Sequence, residues 1–166
     1  PGDRVVGAAP VTTDDAELIF LTAAAQLLHF PASAVRPQGR AAAGMAGIRL
    51  AAKDSVLFFG VLDPGAPAVV VTTAGSSEAP PGTQAGAWKV TAYQEYPAKG
   101  RGTAGVRAHR FLRGEDTLVF AWAGNTPARA AAANGVAIEL PEPTGKRDGS
   151  GLAAPAIVAA IGAPVA

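Results

Sequence analysis

The stretch VRPQGRAAAGMAGIRL, residues 35–50, recurs 61 positions later as YPAKGRGTAGVRAHRF, residues 96–111. The constant offset pairs like residues at four positions: Gly39 with Gly100, Arg40 with Arg101, Gly44 with Gly105 and Arg49 with Arg110. Self-similarity at a fixed offset is the sequence signature of a repeat architecture. We therefore divide the rest of the chain around these two copies.

Apolar runs of strand length surround both copies. They occupy residues 18–22 and 26–30 before the first copy and residues 69–73 and 88–93 before the second. After each copy comes an acidic residue followed by an apolar strand, at residues 54–58 and 116–120. Two runs before each copy and one after it, together with the copy itself, make about four short strands in roughly 50–60 residues. That length is in the range of a propeller blade.

This arrangement predicts an all-β fold built from four-stranded antiparallel blades. Apolar residues follow one another in these runs, as in sheets that are covered on both faces. The 20 glycines and 14 prolines argue against long helices, and only Ala128–Ala133 suits a helical turn. We expect strands near residues 17–22, 26–30, 48–50, 55–61, 68–73, 88–93, 106–112 and 117–122.

A third copy begins after residue 125 and then departs from the pattern. Asn134-Gly135 is a signal for a two-residue hairpin. Gly149 aligns with Gly39 of the first copy, which places Ser150 where the other copies have an arginine. The sequence thus predicts only a partial third blade without the recurring basic residue.

The expected organisation follows from these copies. Residues 1–14 end one blade, 15–63 and 64–125 each form a blade, 126–150 form a partial blade, and 151–166 form an apolar tail or linker. About eleven extra residues between Ser76 and Ala87 are rich in Gly, Pro and Ser and predict a solvent loop. Because the sequence starts without Met, we expect a piece of a longer chain.

Positive charge is concentrated in two blocks although the net charge is only +1. Residues 36–53 contain four basic residues and no acidic residue, and residues 88–113 contain six basic residues against Glu95. Residues 1–35, by contrast, are net acidic. Such a distribution favours a localised basic face that attracts a polyanion.

The two copies resemble a known family. Residues 35–50, with the following Asp54, resemble the repeated blade motif of the C-terminal domains of DNA gyrase and topoisomerase IV A subunits, and residues 95–106, EYPAKGRGTAGV, resemble the equivalent turn of a neighbouring blade. The resemblance covers residues 1–125 clearly and 126–150 weakly. It implies a β-pinwheel, a propeller-like disc with exchanged strands, whose basic rim binds and bends duplex DNA through sequence-tolerant phosphate contacts.

The resemblance also implies what the chain works with. It implies no catalytic residue, metal or cofactor here, whereas the parent ATP-dependent topoisomerase uses ATP and Mg²⁺ elsewhere. The implied partners are duplex DNA, the breakage-rejoining domain of the same chain and the topoisomerase B subunit, in the cytoplasm at the nucleoid and not at a membrane. We expect the DNA contacts to come from Arg36, Arg40, Arg49, Lys89, Lys99, Arg101, Arg107, Arg110 and Arg113.

One difference bears on which topoisomerase is meant. Gyrase usually carries a Gln-Arg-Arg-Gly-Gly-Lys-Gly box, and residues 38–44, QGRAAAG, keep only Gln38, Arg40 and Gly44 of it. Either the box lies upstream of Pro1, or the protein is closer to topoisomerase IV, and we favour the second reading.

Other functions fit these residues less well. Residues 100–105, GRGTAG, match the dinucleotide-binding spacing, but that motif requires a helix after it. Tyr93 and Tyr96, with Trp88, are expected to pack the blade and not to act as nucleophiles. His29 and His109 are expected to be ordinary strand residues, with His109 a candidate to face DNA. The alternative function is a propeller that binds proteins.

Overall fold

Eleven β-strands and two short 3₁₀ helices form the regular structure of residues 4–163, which are the residues that this computed structural model describes. The strands are β1 (Glu17–Thr22), β2 (Gln26–Pro31), β3 (Val56–Leu62), β4 (Ala68–Gly75), β5 (Ala87–Ala92), β6 (Val106–Arg107), β7 (Thr117–Asn125), β8 (Arg129–Ala131), β9 (Ala137–Ile138), β10 (Leu152–Ala153) and β11 (Ala160–Gly162). The 3₁₀ helices are η1 (Ala32–Ala34) and η2 (Tyr93–Glu95). Within this described range no helix is long and apolar enough to cross a membrane.

The strands form three antiparallel sheets. The first sheet has the order β3-β1-β2-β6, the second β7-β4-β5-β10, and the third β11-β8-β9. In each sheet a hairpin supplies two neighbouring strands, and a strand from later in the same repeat lies beside the hairpin's first strand. The all-β prediction with four-stranded antiparallel blades is confirmed.

Neighbouring repeats exchange strands. β6 comes after the second hairpin in sequence, yet it pairs with β2 of the first sheet, with Val106 opposite Leu27. In the same way β10 pairs with β5 of the second sheet, with Leu152 opposite Trp88. The predicted boundaries 15–63 and 64–125 therefore do not enclose whole sheets, because each sheet is completed by residues of the next repeat.

The third repeat is more complete than the sequence predicted. β8 and β9 form its hairpin, and β11 pairs with β8 just as β3 pairs with β1. The interpretation of residues 151–166 as a tail or linker is wrong for β10 and β11, which are strands of two sheets. Ala128–Ala133 contains β8 and no helical turn, because its backbone hydrogen bonds go to β9 and β11.

Two predicted strands and one predicted turn differ in detail. Residues 48–50 form no strand, and residues 106–112 form one only at Val106–Arg107. These residues make single hydrogen bonds between connecting segments in place of a continuous ladder. The β8–β9 turn has three loop residues instead of two, since Ala132 receives a hydrogen bond from Gly135 and donates one to Val136.

The core lies between the faces of successive sheets. The largest buried cluster joins the first two sheets and includes Ile19, Leu21, Leu27, Val70 and Leu118. All eight residues of β4 are buried, as expected for a strand covered on both faces. Smaller clusters fill the space between the second and third sheets. Packing of this kind leaves the segments between the strands at the edge of the molecule.

Three equivalent segments, here called connectors, link the central hairpin of each repeat to its next strand. The first connector is residues 35–55, the second residues 96–116 and the third residues 139–159. Each of the last two connectors supplies the exchanged strand, β6 or β10, on its way. The connectors hold every basic residue of the sequence prediction except Lys89.

The entry of the second connector into the first sheet depends on Gly105. Its φ is +74°, and a Cβ atom there would lie 2.1 Å from the carbonyl oxygen of Leu27. Gly151 occupies the same place before β10, where a Cβ atom would lie 2.7 Å from the carbonyl oxygen of Trp88. Any side chain would push the exchanged strand off its partner.

We predict that Gly105→Ala reduces the free energy of unfolding by at least about 3 kcal/mol, because the clash adds to the cost of a positive φ. Gly102→Ala is the matched control: Gly102 has φ +78° in the same connector, but nothing lies within 4 Å of its Cβ position. It should cost only about 1 kcal/mol. Urea unfolding of both variants measures the difference, and equal costs would contradict a special role for Gly105.

Candidate nucleic-acid interface

The same tight turn occurs in all three connectors. Its closing hydrogen bond runs from a backbone N–H to the carbonyl three residues earlier. The pairs are Ala42 N to Gly39 O at 3.0 Å, Thr103 N to Gly100 O at 3.3 Å and Gly149 N to Lys146 O at 3.2 Å. The first two turns are related by the offset of 61 seen in the sequence, and the third follows the second by 46 residues.

Hydrogen bonds hold neighbouring connectors side by side. Arg49 N donates to Thr103 O at 2.9 Å, and the equivalent pair one repeat later is Arg110 N to Gly149 O at 3.0 Å. Between the first two connectors Gly102 N also donates to Gly47 O at 2.6 Å. The three turns therefore follow one another along one continuous edge of the molecule.

An arginine occupies the second position of every turn. These residues are Arg40, Arg101 and Arg147. Two of them make an equivalent contact with the preceding connector: Arg101 Nη1 donates to Ala46 O at 2.8 Å, and Arg147 Nη1 donates to Arg107 O at 3.3 Å. The sequence alignment that placed Ser150 at this position is therefore wrong by three residues.

Most of the predicted contact residues are available to a partner. Seven of the nine are exposed, and Arg101 is half-buried; the exposed ones are Arg36, Arg40, Arg49, Lys99, Arg107, Arg110 and Arg113. No arginine or lysine of the three connectors forms an ion pair among residues 4–163. The positive charges of these connectors are thus not neutralised by carboxylates in contact with them, which leaves them free to attract an anionic partner.

Lys89 is the exception, and its predicted contact with DNA is not supported. Lys89 is 3% exposed, and its ammonium donates to the carbonyls of Ala108 at 2.7 Å, Gly149 at 3.1 Å and Lys146 at 3.2 Å, as well as to that of Arg147. Removal from water lowers the pKa of Lys89 to about 8, with Asp148 opposing the shift. The side chain fastens the third connector to the second sheet.

His109 does not face a partner either. It is 1% exposed; its Nδ1 lies 2.9 Å from Thr72 Oγ1, and its Nε2 accepts a hydrogen bond from Gly151 N at 3.1 Å. Burial lowers the pKa of His109 to about 4, and the nearby Lys89 charge acts in the same direction. The imidazole is therefore neutral near pH 7 and joins β4 to the residues just before the exchanged strand β10.

The tyrosines pack between the first two repeats, as the sequence predicted. Tyr93 and Tyr96 are buried, and the Tyr93 hydroxyl donates to Glu17, which also contacts His29. Burial, together with the Glu17 carboxylate, raises the pKa of Tyr93 well above its usual value, and burial raises the pKa of Tyr96 to about 12. Neither phenol is prepared to ionise and act as a nucleophile.

Two other kinds of site find no support in this geometry. The segment 100–105 leads into the two-residue strand β6, where a dinucleotide motif needs a helix N-terminus. In the part of the chain that the structure describes, no group of three His, Cys, Asp or Glu side chains is placed to hold a metal ion.

Comparison with known proteins decides the family. The sequence matches the family described as "DNA gyrase C-terminal domain, beta-propeller" over residues 16–63 and 83–121, just over half of the chain. The chain belongs to the DNA gyrase C-terminal domain family. The matched residues include the first hairpin, β3, β5, β6 and the first two connectors.

Curated relatives are similar over the same region. The chain is 36% identical over 105 residues to the topoisomerase subunit TopoM of Mycolicibacterium smegmatis, covering 63% of this chain and 13% of that protein. It is 35% identical over 119 residues to the DNA gyrase A subunit of Mycobacterium bovis, covering 70% of this chain and 13% of that protein. The chain therefore spans about an eighth of the length of these relatives.

Solved structures show the same fold. The C-terminal domain of DNA topoisomerase IV superposes with a TM-score of 0.65 and 19% identity, over 89% of this chain and 46% of that chain. The E. coli ParC C-terminal domain superposes with a TM-score of 0.64 and 20% identity, over 90% of this chain and 61% of that chain. Identities this low support the pinwheel fold alone.

Sequence reasoning missed Lys146 and Arg147. The sequence alignment of the third repeat places Gly149 opposite Gly39, although GKR at 145–147 resembles KGR at 99–101. An alignment that allowed fewer residues between the second and third copies than between the first and second would have found Lys146 and Arg147. The repeated hydrogen bonds fix this offset at 46 residues.

We predict that Lys89→Met reduces the free energy of unfolding by about 2–4 kcal/mol, because buried carbonyls lose their donor. Lys99→Met is the control, since Lys99 is an exposed lysine of the second connector, and its loss should change stability by less than about 0.5 kcal/mol. Thermal and urea unfolding measure both. A neutral Lys89→Met would show that the ammonium is not needed to hold the third connector.

Proposed function

We propose that this domain binds duplex DNA through its connectors and bends it, without catalysing a reaction itself. The observation that carries the proposal is the recurrence of an arginine turn in connectors that are hydrogen-bonded side by side. Membership of the DNA gyrase C-terminal domain family supports it. The row of turns offers positive charge at repeated positions along one edge, which suits a polymer that carries a phosphate at every nucleotide.

The residue types suit phosphates better than bases. The guanidinium group is a planar fork that matches phosphate oxygens. Contacts with phosphates carry no direct sequence information, so we expect binding that tolerates many sequences. Bending a site of 20–30 base pairs costs about 1–6 kcal/mol, which we expect several such contacts along the row of turns to offset.

Arg101 can contact the protein and a phosphate at the same time. One of its nitrogens donates to Ala46 O, which holds the side chain across two connectors. A guanidinium group has five N–H donors, so others remain for a phosphate. The contact with protein reduces the conformational entropy that the side chain loses on binding.

The proposal extends to the enzyme of which such a domain is part. We infer an A subunit of an ATP-dependent type IIA topoisomerase, in which ATP and Mg²⁺ act in other domains and the protein partners are the breakage-rejoining domain and the B subunit. Curated relatives that are DNA gyrase A subunits support this inference. In that setting the bent duplex is presented to the strand-passage gate, at the nucleoid in the cytoplasm.

We predict that Arg40→Ala/Arg101→Ala weakens binding to unrelated duplexes alike. If about six basic residues contact phosphates, log affinity should fall with log salt at a slope of roughly −5. The double variant should make that slope shallower, to roughly −3. Fluorescence anisotropy across a salt series measures the slope, and a circular-permutation or energy-transfer assay measures the bend.

Arg129→Ala is the control for charge, since Arg129 is an exposed arginine of β8 outside the connectors. It should leave the slope and the bend unchanged. If the double variant binds and bends DNA like the unchanged protein, the interface is misplaced. The protein-binding propeller then becomes the better explanation of the exposed connectors.

A further inference from the structure

We propose that the third connector is a further phosphate-binding turn, in which Lys146 and Arg147 contact DNA and Asp148 weakens that contact. This inference rests on the proposed DNA-binding function and assigns residues that the sequence comparison of the repeats left out. It predicts that the DNA path continues beyond the first two connectors to the third.

The equivalence of Arg147 with Arg40 and Arg101 rests on several independent contacts. The turn that begins at Lys146 closes as the turns at Gly39 and Gly100 close. The hydrogen bond from Arg110 N to Gly149 O repeats the one from Arg49 N to Thr103 O. Gly151 passes the second sheet as Gly105 passes the first. All of these fix the same offset of 46 residues.

The side chains of this turn are placed for a phosphate. Arg147 is half-buried like Arg101, and its guanidinium reaches the carbonyl of Arg107, the counterpart of Ala46. Lys146 is exposed and stands where the other two turns have glycine. The third turn therefore presents two adjacent cations, where the others present a single one at these two positions.

The turn is also held in a defined position. The Lys89 ammonium donates to the carbonyls of Lys146, Arg147 and Gly149, so the backbone of the turn is attached to the second sheet. Because the backbone of the turn is fixed before any ligand arrives, it loses little conformational entropy on binding. Lys89 acts here as a positioning residue and does not itself reach DNA.

Asp148 distinguishes this turn from the other two. Gly102 stands at the equivalent position in the second turn and Ala41 in the first. The exposed carboxylate directly after Arg147 places a negative charge beside the phosphate-binding group. Like charges repel, so we expect Asp148 to make the third turn the weaker of the three.

The test uses two changes with opposite expected effects on binding to a duplex long enough to cover three turns. Lys146→Ala/Arg147→Ala should weaken binding on the order of tenfold at about 0.1 M salt and lower the salt slope by about two. Asp148→Asn should strengthen binding about two- to fourfold, since it removes one repulsive charge.

Lys146→Ala alone guards against loss of structure, because the Lys146 side chain makes no hydrogen bond or ion pair among the described residues. It should lower the slope by about one. Glu142→Gln removes a negative charge from the same connector outside the turn and should change affinity less than Asp148→Asn does. Thermal unfolding of each variant, set against its affinity, separates binding from stability.

The outcomes separate this inference from the proposed function. If the unchanged protein shows no salt-dependent binding to duplex DNA, the proposed function fails. If it binds with the expected slope while Lys146→Ala leaves that slope unchanged, the DNA does not reach the third connector and this inference fails alone. Equal effects of Asp148→Asn and Glu142→Gln would overturn the role given to Asp148.

Discussion

The pairing of β6 with β2 is the contact on which the rest of the structure depends. It places a strand of the second repeat in the first sheet. The second connector, which contains this strand, therefore has to run beside the first connector. Gly105 permits this pairing, because its backbone passes a carbonyl of β2 with no room for a side chain. The hydrogen bonds from residues 49 and 102 between the connectors follow from that placement. A row of turns on one edge is thus a consequence of strand exchange.

Buried polar groups hold the repeats to one another where the apolar core is interrupted. Lys89 occupies the position that the buried Leu28 has in the first sheet, and its ammonium uses carbonyls that the second and third connectors supply. His29 stands where Val90 stands one repeat later, and it contacts Glu17 and Tyr93 across the first two repeats. A buried ammonium without acceptors costs several kcal/mol. A polar residue at either of these core positions is therefore tolerated only because a neighbouring repeat completes its hydrogen bonds.

Charge and backbone geometry support each other in the proposed interface. The net charge of +1 is too small to attract DNA by itself, but the first two connectors carry arginine and lysine side chains without contacting carboxylates. Because main-chain hydrogen bonds attach neighbouring connectors to each other, the turns that carry the positive charges are held in fixed positions relative to one another. A stiff duplex gains most from charges that need no rearrangement. The carboxylate of Asp148 lowers the affinity of the third turn for phosphate without changing the fold.

The sequence by itself determined the repeat, the all-β class, the hairpins β1–β2 and β4–β5 and the basic connectors, because each of these is a local pattern of apolar runs, glycines and charges. It also indicated the positions of Arg40 and Arg101 through a constant offset. Only the tertiary structure decided which sheet receives β6 and β10, since a two-residue strand carries no record of its partner. Tertiary contacts likewise decided that Lys89 is internal and that Arg147, not Ser150, continues the row. The burial of a lysine and the pairing of a two-residue strand depend on residues far apart in the chain, and local sequence does not encode them.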